Sequence, residues 1–256
     1  VTALETAALL AAAAGAGAMN ALAGGGTILT YPTLVLLGHD AITANATSTV
    51  ALWPGAAASL AGYRQDVARH REWLSRLFLP SLLGGALGAV LLLRTPERTF
   101  GAIAPFLILF ATLLFLIQGM VARWTGSHPS PAASPARLTV AVLLQFLTSV
   151  YGGYFGAGMG ILMLAILGFL GIADIHAANG LKNFFGMCIN GVAALYFILR
   201  GAVDWPAALV MILGAIAGGY GGARFGRWIG KDRARAAVVV IGLAVAAALL
   251  IQRARA

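Results

Sequence analysis

The sequence predicts an all-α polytopic membrane protein of two inverted-topology repeats, each with a short glycine-interrupted half-helix, giving about eight long membrane segments and two short ones. Three observations predict it. Hydrophobic residues make up 60% of the 256, and only 10% are charged, whereas a soluble domain has about a quarter of its residues charged. The apolar residues fall into eight blocks near or above the roughly 20 residues that cross about 30 Å of hydrocarbon. The chain also matches itself when shifted by 134 positions.

The blocks are Thr6–Leu37, Ala41–Tyr63, Leu77–Leu93, Thr99–Ala122, Leu138–Ala173, Ile175–Leu199, Trp205–Ala223 and Ala236–Gln252. The first lacks a basic leader and a clean cleavage site and carries Glu5, so it reads as a retained segment rather than a signal peptide. The net charge of +9 sits in the loops, as positive-inside topology requires, and calls for no nucleic-acid partner. The partner is the lipid bilayer. The single Cys188 excludes an internal disulfide and reads as a packing residue.

The self-match is gapless. Ala23-Gly24 falls on Ala157-Gly158, Gly26 on Gly160, Asp40 on Asp174, Ala44-Asn45 on Ala178-Asn179, Gly84-Gly85 on Gly218-Gly219, and Ile117-Gln118 on Ile251-Gln252. Rare Asp, Asn and Gln share the offset, which chance in an Ala/Gly-rich chain does not readily produce. The expected units are a first repeat at 1–120, a Pro/Ser-rich linker at 121–135 and a second repeat at 136–256. Equivalent loops carry opposite charge bias. Loop 64–76 holds Arg64, Arg69, Arg71 and Arg76, while its counterpart near 200–205 holds Arg200 and Asp204. Arg94 and Arg98 flank Glu97, while the matching loop holds Arg224, Arg227, Lys231, Arg233 and Arg235. The repeats are therefore expected to be inverted, with loops 64–76 and 224–235 cytoplasmic. Arg253 and Arg255 fall on the other side against this bias. Trp73, Trp124, Trp205 and Trp228 flank loops, as an interfacial belt would.

Each repeat opens alike: "AGGGTILTYPTLVLLGHD" in the first, "GAGMGILMLAILGFLGIAD" in the second. The apolar pieces after the glycines, about 27–38 and 161–172, rise only about 18 Å as helix. They are too short to cross and read as discontinuous helices, whose free N–H groups gather anions. The next segments carry "TANATST" and "ANGLKN". Asn45, Ser48 and Thr49 share one helix face, as do Asn179, Lys182 and Asn183.

Lys182 stands in an apolar run with no acidic residue within a helical turn. A charge at a helix centre costs roughly 2.5–3.5 kcal/mol on insertion scales. The expected substrate site comprises Gly24, Gly25, Gly26, Asn45, Thr47, Ser48, Thr49, Gly158, Gly160, Asn179, Lys182 and Asn183. Its inventory of N–H groups, amides, hydroxyls and one cation suits a small anion. The competing readings are structural. Lys182 lies about 12 Å along a helix from Asp174 and would snorkel to the surface. The Asn, Ser and Thr residues would be interhelical glue. His39, Asp40, Asp174 and His176 read as solvated ends or caps, and the four-residue glycine spacings as close helix packing.

In one order, the glycine turn, "YPTLVLLG", "ANATSTVALWPG" and "GYRQ" resemble the sulfite exporter TauE/SafE family, as do "GAVDWPAAL" and "GAIAGGYGGARFG" in the second half. Gly24, Gly25, Gly26, Pro32, Gly38, Ala46, Thr47 and Ser48 fit its first-half pattern. The resemblance implies a bacterial inner-membrane protein that moves sulfite, sulfonates or related sulfur-containing anions, usually outward. The second repeat departs from the pattern with "GAGMG", no Pro matching Pro32, and "NGLKN". The expected function is secondary transport by alternating access around a midplane site, with an anion channel of the same fold as the alternative. The spans contain no Glu/His metal pair and no Ser with a His partner, so neither enzyme activity nor a metal or other cofactor is expected. A homo-oligomer and a proton as coupling ion are the further partners weighed.

Overall fold

The computed structural model describes residues 2–22, 25–60, 67, 68, 70–126, 134–172, 174–229, 236 and 239–247, with the side chains of 21, 22, 59, 120–126, 175 and 223–229 excepted. Nine helices are delimited among them: α1 (Ala3–Leu22), α2 (Thr27–Leu36), α3 (Ala41–Leu60), α4 (Arg71–Arg94), α5 (Glu97–Gly126), α6 (Pro135–Tyr154), α7 (Met159–Phe169), α8 (Ile175–Leu199) and α9 (Trp205–Ile229). Residues 239–247 are also helical. The expected linker at 121–135 falls on the end of α5 and the start of α6, with 127–133 outside the described residues.

Among the described residues, five helices are long and apolar enough to cross a membrane: α4, α5 over Glu97–Gly119, α6, α8 over His176–Leu199, and α9 over Trp205–Gly222. Leu83, Leu87, Leu113, Leu147, Leu209 and Leu213 project from four of them with large exposed areas. Water would not tolerate so much apolar surface, and lipid covers it. The chain is a multi-pass helical membrane protein. About eight long segments were expected. The 20-residue α1 and α3 are not among the five. Glu5 and Asn20 dilute α1, "TANATST" dilutes α3, and the last apolar run is described only in part. The short α2 and α7, of 10 and 11 residues, rise about 15–17 Å.

Glycine sets both breaks. Gly25 has φ +91° and Gly158 +76°, left-handed conformations that a side chain disfavours. A β-carbon on Gly25 would also overlap the Phe115 ring and stand 3.6 Å from the Gly158 nitrogen. The two turns therefore meet. Side chains of the preceding helices tie each turn. Asn20 Oδ1 accepts from Gly26 N–H at 2.7 Å, and Tyr151 donates its hydroxyl to Ala157 C=O at 2.5 Å.

Helix packing is reciprocal between the halves. α1 packs most extensively on α9, and α6 on α4; α3 packs on α9, α8 on α4, and α3 meets α8. Glycines permit the two closest approaches. Gly214, Gly218 and Gly222 of α9 face Leu10, Ala14 and Ala18 of α1, so these helices run parallel. Gly84 and Gly88 of α4 face Phe146 and Val150 of α6, also parallel. α3 and α8 are antiparallel, because Thr47 meets Asp204 while Trp53 meets Met187 and Gly191.

One end of the bundle gathers the α2–α3, α4–α5 and α8–α9 turns. Glu97 caps α3 at Ala41 and Ile42, and His39 Nδ1 lies 3.3 Å from Asp204 Oδ2. The opposite end gathers the starts of α4 and α6 and the end of α7, where Arg137 lies 4.7 Å from the Phe169 ring centre. Asp174 caps α8 there through His176 N–H. Trp73, expected in an interfacial belt, is instead buried with Leu77 and Ala141, beside Arg76. The side chains of Trp124 and Trp228 lie outside the described residues.

Candidate functional site

Where the two glycine turns meet α3 and α8, a cavity opens. Its polar lining comes from Asn20, Thr27, Thr49, Lys182, Asn183 and Asn190. Its apolar lining includes Leu52, Phe155, Met159, Met163 and Met187. No carboxylate is in its described lining. The cavity offers about 60 Å³ to the centres of water molecules. One water needs roughly 10–15 Å³ by that measure, so the space takes a handful of waters or one small anion.

The lining follows the offset seen in the sequence. Met159 comes 134 positions after Gly25, as Asn183 does after Thr49, Gly186 after Leu52, and Asn190 after Ala56. Equivalent faces of α3 and α8 therefore look at one space from the two halves.

Lys182 is only 3% exposed and lines this cavity. Its burial removes the snorkelling alternative, which would leave the ammonium at the surface. Asn183 is 8% exposed, and its Nδ2 has no hydrogen-bond partner among the described residues. A buried unsatisfied amide costs about 1–3 kcal/mol, a cost that an acceptor arriving in the cavity would relieve.

The other expected site residues divide. Gly25, Thr49 and Gly160 line the cavity; Gly24 lies outside the described residues. Gly26 and Gly158 are the N-caps of α2 and α7, beside the cavity rather than on it. The expectation that α2 offers free N–H groups is modified, because Asn20 already takes the Gly26 N–H. Ser48 and Thr30 share a hydrogen bond of 2.6 Å between their hydroxyls. Thr47 accepts the Asp204 N–H at 3.0 Å. Asn45, 1% exposed, donates from Nδ2 to Tyr154 C=O at 2.9 Å. These three tie α3 to α2 and to the second half, and Asn179 is half-buried off the cavity lining.

Asn20 and Asn190 were not singled out in the sequence. Asn190 is seven residues after Asn183, two helical turns along one face, a spacing that could have revealed it. Asn20 carried no such signal. It lies before the glycine turn and reaches the cavity because the chain doubles back there.

The sequence model of the sulfite exporter TauE/SafE family matches residues 9–249. A probable membrane transporter protein of Sinorhizobium is 29% identical over 245 residues, covering 94% of this chain and 91% of that protein. One from Haemophilus influenzae is 29% identical over 235 residues, covering 91% and 89%. One from Xylella fastidiosa is 27% identical over 213 residues, covering 79% and 77%. No solved structure matches.

Proposed function

The chain belongs to the sulfite exporter TauE/SafE family, and from that premise we propose that it is a secondary transporter of small anions. Its substrates would be sulfite, organosulfonates or related sulfur-containing oxyanions, carried outward by alternating access. One observation carries this reading: the cavity presents an ammonium and amide donors and, in its described lining, no carboxylate. In a low-dielectric space these donors favour an anion over a cation or a neutral solute. The volume suits a solute of a few heavy atoms.

Alternating access asks that two similar halves rock about a site they share. The reciprocal packing and the offset-related lining support that arrangement. Inverted topology has its own support. α1 begins at the Asp204 end of the bundle, whereas α6 begins at the Arg71 end. Arg71 and Arg76 open α4 at the Arg71 end, and α9, parallel to α1, ends there within the basic stretch 224–235, so the positive-inside rule assigns this end to the cytoplasm. Single cysteines in a Cys188→Ala background test this with a membrane-impermeant thiol reagent on intact cells. Asp40→Cys and Arg200→Cys are expected to label directly, and Glu72→Cys and Asp174→Cys only after permeabilisation. Labelling of positions 40 and 174 from the same side would rule out inverted halves.

Flux in proteoliposomes tests the function. Vesicles preloaded with unlabelled sulfite are expected to accelerate uptake of external labelled sulfite, with saturation. Unsaturable flux, or currents beyond the roughly millisecond pace of conformational cycling, would indicate a channel instead.

A further inference from the structure

We propose that Asn20 is a substrate ligand as well as the tie of the first glycine turn, so that the anion binds directly to the group that holds the start of α2. The inference rests on the anion-transport reading and adds a residue and a coupling to it.

The argument begins with which way the amide faces. Gly26 N–H can only donate, so the Asn20 atom 2.7 Å away is the acceptor Oδ1. That contact fixes the flip of the group, and the donor Nδ2 must project elsewhere. Asn20 lines the cavity that Lys182 and Asn183 also line, and Nδ2 makes no hydrogen bond among the described residues. The lining therefore includes three side chains that carry donors, the Lys182 ammonium and the Asn183 and Asn20 amides. The second independent sign of a ligand is Asn183, more than nine-tenths buried with Nδ2 unsatisfied among the described residues.

The glycine at 26 fits this role. A β-carbon there would stand 2.9 Å from Asn20 Nδ2 and 2.6 Å from Ala16 C=O. The amide and the backbone of α1 at Ala16 thus occupy the space a side chain would need. A bound anion accepting from Nδ2 would pull on a group whose other end is hydrogen-bonded to the first residues of α2. On the far side of the cavity, Lys182 and Asn183 belong to α8. An anion held by both would bridge the turn of the first half to a helix of the second, the connection alternating access requires.

The substitution Asn20→Asp separates the two roles. It keeps an acceptor for Gly26 N–H and adds a negative charge at the start of α2, where the helix dipole tolerates it. It also replaces the Nδ2 donor with an oxygen. Purified full-length wild type, Asn20→Asp, Asn20→Ala and Lys182→Ala would be melted with increasing sulfite and, separately, sulfoacetate. Asn20→Asp is expected to melt within a few degrees of wild type without anion, yet to need at least about tenfold more anion for the same shift. Asn20→Ala is expected to melt lower without anion, since the turn loses its tie, and also to need more anion. Wild-type affinity in Asn20→Asp would reduce Asn20 to a structural tie and overturn the proposal. If Asn20→Asp fails to fold, wild-type affinity in Asn20→Ala overturns it equally. Loss of response in Lys182→Ala alone would leave the anion site standing and remove only Asn20 from it. No shift of the wild type by either anion would overturn the transport reading and this inference together.

Discussion

Lys182→Ala is expected to weaken anion binding by roughly ten- to a hundredfold while leaving the protein folded. A hydrogen bond to a charged group contributes about 1.5–3 kcal/mol, and each 1.4 kcal/mol is tenfold in affinity. Lys182 is buried at the cavity wall, where solvent screens its charge little. The neighbouring substitution Asn183→Leu should move two readouts in opposite directions. It removes an amide whose Nδ2 has no partner among the described residues, so the melting temperature without anion should rise. It also removes a donor to the substrate, so the anion-induced shift should shrink. A group that only packs would not behave this way, because its loss would lower stability and leave the anion response alone. Melting curves with and without sulfite decide it. If both variants keep the wild-type anion shift, the site lies elsewhere in the molecule. If Asn183→Leu melts lower and responds normally, Asn183 is a structural residue.

The sequence made some of this site legible and hid the rest for identifiable reasons. Glycine runs followed by apolar pieces of about twelve residues marked α2 and α7, because a piece that short cannot cross and must turn back. Lys182 was conspicuous because a charge inside an apolar run is costly. Which neighbours share its cavity was a matter of rotation. Ser48 and Thr49 are adjacent in α3, but consecutive residues in a helix point about 100° apart. Thr49 faces the cavity and Ser48 faces Thr30. Ser48 matches Lys182 in the repeat, yet its short hydroxyl finds a partner on α2 while the long lysine lines the cavity. Asn45 and Asn190 look alike on paper, single amides in apolar runs. One bonds the end of α6 and the other lines the cavity. Their difference depends on packing between halves distant in sequence. Asn20 depends on more, since nothing before residue 22 says that the chain returns beside it.

Gly218→Ala is expected to destabilise the protein by several kcal/mol, whereas Gly221→Ala in the same helix should stabilise it by about 0.5–1 kcal/mol. In a helix interior alanine is favoured over glycine by about that amount. At Gly221 nothing lies within 4 Å of the added methyl, so only this local preference acts. At Gly218 the methyl would fall inside the carbonyl group of Ala14 on α1. The obstacle is backbone, which cannot rotate aside, and overpacking a core typically costs 1–3 kcal/mol even where side chains can adjust. The consequence reaches the site. Asn20 lies in the last turn of α1, which belongs to the first half, while α9 belongs to the second, so forcing them apart displaces Asn20 relative to Lys182. Gly84 precedes Gly218 by 134 positions, and a β-carbon added there would stand 2.6 Å from Phe146 C=O of α6. Gly84→Ala should therefore repeat the effect at the other crossing between halves. Melting temperatures of the three variants in one detergent provide the comparison. If Gly218→Ala melts as high as Gly221→Ala, α1 and α9 do not approach as closely as described, and the coupling of their packing to the position of Asn20 fails with them.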